Sequence, residues 1–180
     1  MNAPPVLIEA SSVLLRRVQP DDAPALFALA TNSDVMRFMD WPMPTDVSST
    51  RSHLEGASVD WDASVEYQWV VLDRQTGACA GTIALRVRGH AADFGYFLGR
   101  NFWGKGLAYG AASAVLQWLD IQPQILRIWA TVDSENQRSR RLLERLGLRL
   151  EGVTRCATIR PNIGGPPRDT AIYARIKSDH

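Results

Sequence analysis

A chain of 180 residues, 46 % hydrophobic and 22 % charged, has the composition of one globular domain. At that length folding buries roughly 70 % of the surface the unfolded chain exposes, so no disulfide or metal staple is required. Twenty Lys and Arg against 19 Asp and Glu leave a net charge of +1, which argues against nucleic acid or another polyanion held by bulk charge.

Met1 to Ala10 shows no basic segment leading into an apolar run, and no stretch approaches the roughly 18 apolar residues of a membrane span. The expectation is a cytoplasmic protein with no membrane association. Cys79 and Cys156 stand outside any C-x-x-C pair, and three histidines give few zinc ligands. Two reduced thiols and no metal are expected.

In chain order, Val13 to Val18 reads as a strand running into Gln19-Pro20-Asp21-Asp22, whose aspartates are placed to cap a helix carrying Leu26, Leu29 and Ala30. A turn-rich stretch, Asp40 to Pro44, leads to Asp46, expected to cap a second helix with Val47, Leu54, Ser58 and Trp61 at helical spacing. Strands Tyr67–Leu72 and Ala78–Val87 flank a hairpin connection, Asp73 to Gly77. Arg88-Gly89-His90 turns into the strand Ala92–Leu98. After it come a glycine-rich turn, a helix from about Leu107 to Leu119, the strand Leu126–Val132, and a helix Gln137–Leu146 closed by Gly147. Strands Arg149–Cys156 and Thr170–Ile176 complete the chain around the Arg160–Arg168 loop, with its three prolines and two glycines. The order β-α-α-β-β-β-α-β-α-β-β predicts one α/β domain over 1–180, a mixed sheet with helices on its faces.

The segment that carries chemistry is the strand-to-helix turn after Leu98. Gly104 and Gly106 leave backbone N–H groups uncovered, and the helix starting near Leu107 adds free amides and the positive end of its dipole. Such a turn suits an anion, a pyrophosphate in particular, with Lys105 able to add charge or equally to point to solvent. A plain strand-to-helix turn is the alternative reading. Two other nucleotide motifs fail here. A Rossmann G-x-G-x-x-G from Gly104 would need a small residue at Tyr109, and a P-loop would need Lys where Leu107 follows Gly106.

The turn resembles the coenzyme A signature [QR]-x-x-G-x-[GA] of the Gcn5-related N-acetyltransferase superfamily, matched at Gly106 and Ala108, with Trp103 in place of the usual Gln or Arg. Phe102-Trp103-Gly104-Lys105-Gly106 is similar to its ribosomal-protein-alanine acetyltransferase-like branch. The resemblance extends through Leu14–Arg17 with Asp21-Asp22, Gly95-Tyr96, Asn136-Gln137-Arg138-Ser139, Leu146-Gly147-Leu148, Glu151-Gly152 and Tyr173.

That resemblance implies a mostly antiparallel central sheet whose fourth and fifth strands splay apart to admit acetyl-CoA as co-substrate. Its pyrophosphate would lie on Trp103, Gly104, Lys105, Gly106, Leu107 and Ala108. The pantetheine arm would pair with Tyr96, Phe97 and Leu98 as an added strand, and Asn136 would contact it, a helix cap being the alternative for Asn136. A primary amine, on a protein N-terminus or a small molecule, would attack the thioester directly. The helix Gln137–Leu146 has no tyrosine, so the resemblance assigns help for the leaving thiolate to Ser139, a first-turn helix serine bonding to backbone being the alternative. Asp93 is the candidate base, with a solvated strand-end charge as its alternative. No carboxylate lies close to Thr158, which separates the chain from relatives that acetylate alanine with a glutamate there. Trp41 would line the acceptor pocket or pin its loop. The resemblance leaves room for a homodimer. A fold of this type that only binds acetyl-CoA, as a sensing module, is the competing function. Cys156 lacks a histidine signature and reads as a buried structural thiol.

Overall fold

A computed structural model describes residues 3–177. Eight strands form one sheet in the order β1-β2-β3-β4-β5-β6-β8-β7. They are β1 (Leu7–Glu9), β2 (Val13–Arg17), β3 (Tyr67–Asp73), β4 (Cys79–Arg88), β5 (Ala91–Leu98), β6 (Arg127–Asp133), β7 (Arg149–Thr158) and β8 (Arg168–Ile176). Every neighbouring pair is antiparallel except β5 and β6. A parallel pair needs a crossover, which the helix α4 (Leu107–Asp120) supplies. The remaining helices are α1 (Ala23–Ala30), α2 (Ser33–Met36), α3 (Val47–Asp62) and α5 (Gln137–Arg145).

The period of two along each strand separates two cores. Val13, Leu15, Trp69, Val71, Ile83 and Leu85 point to one face, under Leu107, Ala111, Val115 and Leu119 of α4 and Leu142 and Leu143 of α5. Val70 and Phe97 point to the other, against Leu26, Ala30, Met36 and Leu54 of α1 to α3. Buried on both faces, β3 carries an unbroken apolar run from Trp69 to Leu72. α4 lies close on the sheet because its contact residues are small; a Cβ on Gly110 would come within 2.4 Å of Ser12 Oγ. Truncating fully buried Leu119 to Ala costs about 2–5 kcal/mol at such a site.

Several expectations need correction. β1 and the one-turn α2 were not expected, so the strands counted fourth and fifth from the sequence are β5 and β6. Asp46 does cap α3, accepting from the Ser49 N–H at 2.7 Å. Asp21 and Asp22 do not cap α1. The Asp22 carboxylate instead accepts from Arg16, at 2.7 and 3.2 Å, and from the Gln19 N–H at 2.8 Å, so a strand arginine outcompetes the helix amides. Both cysteines are free thiols, Cys79 half-buried and Cys156 exposed, against the buried position expected for Cys156.

Candidate active site

β5 and β6 pair only through Ala91–Arg127, Ala92–Ile128 and Asp93–Trp129. Beyond Asp93 the two strands part, and the edge of β5 from Phe94 onward faces a cleft of about 1710 Å³. The expected splay is present at this point. At one end of the cleft the chain leaves β5 and enters α4 through Trp103 to Ala108.

Gly104 and Gly106 both take left-handed backbone, φ 76° and 77°, which strains any residue with a Cβ. Gly106 is the N-cap of α4 and offers no side-chain cap. The first intrahelical bond is the Gly110 N–H to Gly106 O, at 2.9 Å. The Trp103 N–H donates to Arg100 O at 3.3 Å, but the amides from Gly104 to Tyr109 have no protein acceptor among the described residues, which makes the turn a nest for an anion. Trp103 anchors the turn: its Nε1 donates to Leu98 O at 2.7 Å, and Arg100 and Arg138 stack on its ring at 4.7 and 4.5 Å. Arg138, Arg141 and Arg145, at i, i+3 and i+7 of α5, all line the cleft and surround this end with positive charge. Their helical spacing was legible in the sequence; their direction was not. Lys105 is the exception among the expected cofactor residues. It is exposed, with Nζ over the Phe102 ring at 5.5 Å, and lines a neighbouring hollow beside Ser12 and Asp73 instead of the cleft. The left-handed glycines on either side turn its side chain away.

Alternation along β5 sorts the remaining residues. Asp93, Gly95 and Phe97 face α1 to α3, while Phe94, Tyr96 and Leu98 face α4 and α5. Phe97 and Leu98 are largely buried, 8 % and 5 % exposed, so it is mainly their backbone that the β5 edge offers, with Phe97 still part of the cleft wall. The Tyr96 hydroxyl donates to Ser139 Oγ at 3.2 Å, a contact the sequence reading missed because the two lie on separate elements. Burial pushes the Tyr96 phenol up, and its bond to Ser139 offsets this only in part. Asn136 is the cap of α5, its Oδ1 accepting from the Ser139 N–H at 3.2 Å. Capping uses only Oδ1, and Asn136 still lines the cleft with its amide N–H groups free to donate.

Asp93 is not a solvated charge. It is 8 % exposed, and its Oδ2 accepts from Arg86 Nε at 2.8 Å and from a terminal guanidinium nitrogen. Glu66 holds the other side of Arg86 at 3.3 Å. Burial works against the Arg86 charge, and Asp93 with Glu66 outweighs it, so the guanidinium is held above its ordinary range. The register Arg86–Asp93 across the β4–β5 hairpin is what the turn at Gly89 dictates. Asp93 Oδ1 accepts no hydrogen bond among the described residues.

The far end of the cleft is roofed by two segments fastened together. Asn162 Nδ2 donates to Met36 O at 2.8 Å and Trp41 O at 2.9 Å, and Asn162 Oδ1 accepts from the Met43 N–H at 2.9 Å. Trp41 meets Phe97 edge-on at 5.9 Å, so it lines the cleft and is pinned as well. The floor is polar and low: Gln68, Ala84, Thr82 and the exposed Gly95.

The acetyltransferase (GNAT) domain model matches residues 12–149. The uncharacterised N-acetyltransferase YoaA of Bacillus subtilis (strain 168) is 28 % identical over 174 residues, 95 % of this chain and 97 % of its own. The ribosomal protein uS5-alanine N-acetyltransferase of Escherichia coli (strain K12) is 39 % identical over 95 residues, 52 % of this chain and 47 % of its own. Among solved structures, the microcin C7 self-immunity acetyltransferase MccE, in complex with acetyl-CoA and AMP, superposes with a TM-score of 0.86. It is 25 % identical, over 97 % of this chain and 98 % of that one. A parted parallel strand pair, an open glycine turn and these likenesses converge: the chain belongs to the acetyltransferase (GNAT) family and is an N-acetyltransferase.

Proposed function

We propose that the protein transfers an acetyl group from acetyl-CoA to a primary amine inside this cleft. The observation that carries the reading is the parting of β5 and β6 after Asp93, directly beside a turn of unpaired amides. The pyrophosphate lies on the turn from Trp103 to Ala108, over the free amides of Gly104 to Ala108, with the arginines of α5 beside it. The pantetheine arm, rich in amides, adds to the free edge of β5 between Tyr96 and Leu98, and Asn136 donates to it. The acetyl-CoA bound in the MccE complex supports acetyl-CoA as the co-substrate.

Attack and departure use opposite faces of β5. The amine arrives on the side of α1 to α3, over Gly95, and its nitrogen attacks the thioester carbonyl carbon. The oxyanion is met by a backbone N–H of β5. The C–S bond then breaks and the thiolate leaves toward Ser139. Because Tyr96 donates to Ser139 Oγ, one lone pair of that oxygen is taken and the seryl hydrogen is left for the sulfur. Tyr96, whose proton is held tightly, orients that donor and keeps its own proton. The amine loses its proton to Asp93 Oδ1, directly or through a water. Trp41 and Phe97 border the acceptor's place.

The acceptor is a peptide N-terminus or a small-molecule amine. The uS5-alanine acetyltransferase supports the first through half of the chain. Release of free thiol from acetyl-CoA across a panel of amines and short peptides tests the function. Turnover on at least one of them is expected, and none on any would overturn it.

A further inference from the structure

Arg160 sits on the loop after β7, at the acceptor end of the cleft. Its side chain is only 7 % exposed, yet its guanidinium donates no hydrogen bond to any described residue, and its Nε is a buried donor without a partner. It nonetheless lines the cleft. Buried guanidinium groups are ordinarily satisfied, because an orphaned charged donor keeps the full cost of its desolvation.

The neighbouring acid does not relieve it. Asp133, 1 % exposed, lies 3.7 Å from Arg160 Nε, beyond hydrogen-bond reach. Its carboxylate is already taken by Arg168, at 2.7 and 3.2 Å, and by the Glu135 N–H at 3.0 Å. Asp133 therefore balances the charge of Arg160 without using its donors. The loop itself is fixed. The Ile163 and Gly164 N–H groups both bond Arg160 O at 3.0 Å, and Asn162 fastens the segment to the Met36–Met43 stretch. A guanidinium held rigidly with its planar fork unspent is preorganised for an oxyanion.

We propose that Arg160 binds an anionic group, a carboxylate or phosphate, on the acceptor, so that the amine substrate carries an oxyanion as well as its nitrogen. Gln68 on β3 and Thr50 on α3 line the same space, and Gln68 Oε1 and Thr50 Oγ1 are buried without partners among the described residues. A ligand anchored at Arg160 has polar groups to meet in that space. The inference rests on acetyl transfer in this cleft, and its test separates the two.

Matched acceptors provide that test, with an aromatic series chosen because Trp41 and Phe97 border the space. Phenylalanine, phenylalanine amide and phenethylamine form one arm; phosphoethanolamine and ethanolamine form the other. Thiol release gives kcat/KM, and calorimetry in the presence of CoA gives binding without turnover. The anionic member of at least one arm is expected to be preferred by roughly 30-fold or more, the scale of a buried charge pair. Arg160→Met should remove that preference while leaving neutral amines and acetyl-CoA binding unchanged, and Arg160→Lys should restore part of it. The arm that responds tells carboxylate from phosphate. Equal treatment of charged and neutral members overturns the inference and leaves acetyl transfer standing. Equal losses for all acceptors, with a lowered melting temperature, would make Arg160 a counter-charge for Asp133 only and overturn it too. Binding of the anionic member without turnover would support the anion site and count against acetyl transfer.

Discussion

The Tyr96 hydroxyl donates to Ser139 Oγ at 3.2 Å and so ties the open edge of β5 to the first turn of α5. One hydrogen bond thereby sets which way the seryl proton points. Ser139→Ala should keep its acetyl-CoA affinity and lose about 100-fold in turnover, the scale of a positioned acid. Tyr96→Phe should lose less, and the double variant should match Ser139→Ala alone, since both act through one donor. Single-turnover rates of the three variants test this, and additive losses would contradict it.

The same tyrosine makes an alkaline prediction. Burial raises its pKa, so the folded state holds the proton more tightly than the unfolded chain. Its stabilising contribution is complete below the unfolded value of about 10 and is lost as pH rises through the higher folded value. Wild type should lose stability above about pH 10 more steeply than Tyr96→Phe. Urea unfolding between pH 8 and 11 reads the difference; parallel curves would count against it.

Asp93 is engaged by Arg86 through one oxygen only. Asp93→Asn should depress turnover most at low pH, where the amine is most in need of a base, and amines of low pKa should be affected least. It should also cost about 1–2 kcal/mol of stability through the weakened charged hydrogen bonds. A pH–rate profile that superimposes on wild type would leave the proton to water and Asp93 to structure.

The thiols should differ in reactivity. Burial pushes the Cys79 thiol up to about 11, so almost none of it is thiolate near pH 8, whereas Cys156 is exposed. A chromogenic disulfide should titrate one fast thiol in the native protein and both after denaturation. Two fast thiols would contradict the buried environment of Cys79.

Much of this was legible because it is local. Asp46 at a cap, Gly77 and Gly147 at left-handed turns and the alternation along β4 each depend on a few consecutive residues. Short elements without a period were not: β1 is three residues with two of them exposed, and α2 is a single turn. The glycine turn could be read from its spacing, yet Lys105 could not be oriented, because φ at its two glycine neighbours decides where its side chain goes. Contacts between distant elements stayed hidden. Tyr96 with Ser139, Asn162 with Trp41, and Arg160 beside an already occupied Asp133 exist only once the sheet is assembled.

The central claim is that the turn from Trp103 to Ala108 holds the pyrophosphate of acetyl-CoA, and thermal protection of Gly106→Asp tests it most directly. A Cβ at Gly106 meets nothing within 4 Å, and Asp tolerates left-handed backbone better than most residues, so the variant should fold with a loss of about 1 kcal/mol. Its carboxylate would then face the phosphates. At roughly 100 times its dissociation constant, acetyl-CoA should stabilise wild type by about 2.7 kcal/mol, NAD and ATP much less, and Gly106→Asp hardly at all. Equal protection of wild type and variant by acetyl-CoA would contradict the account.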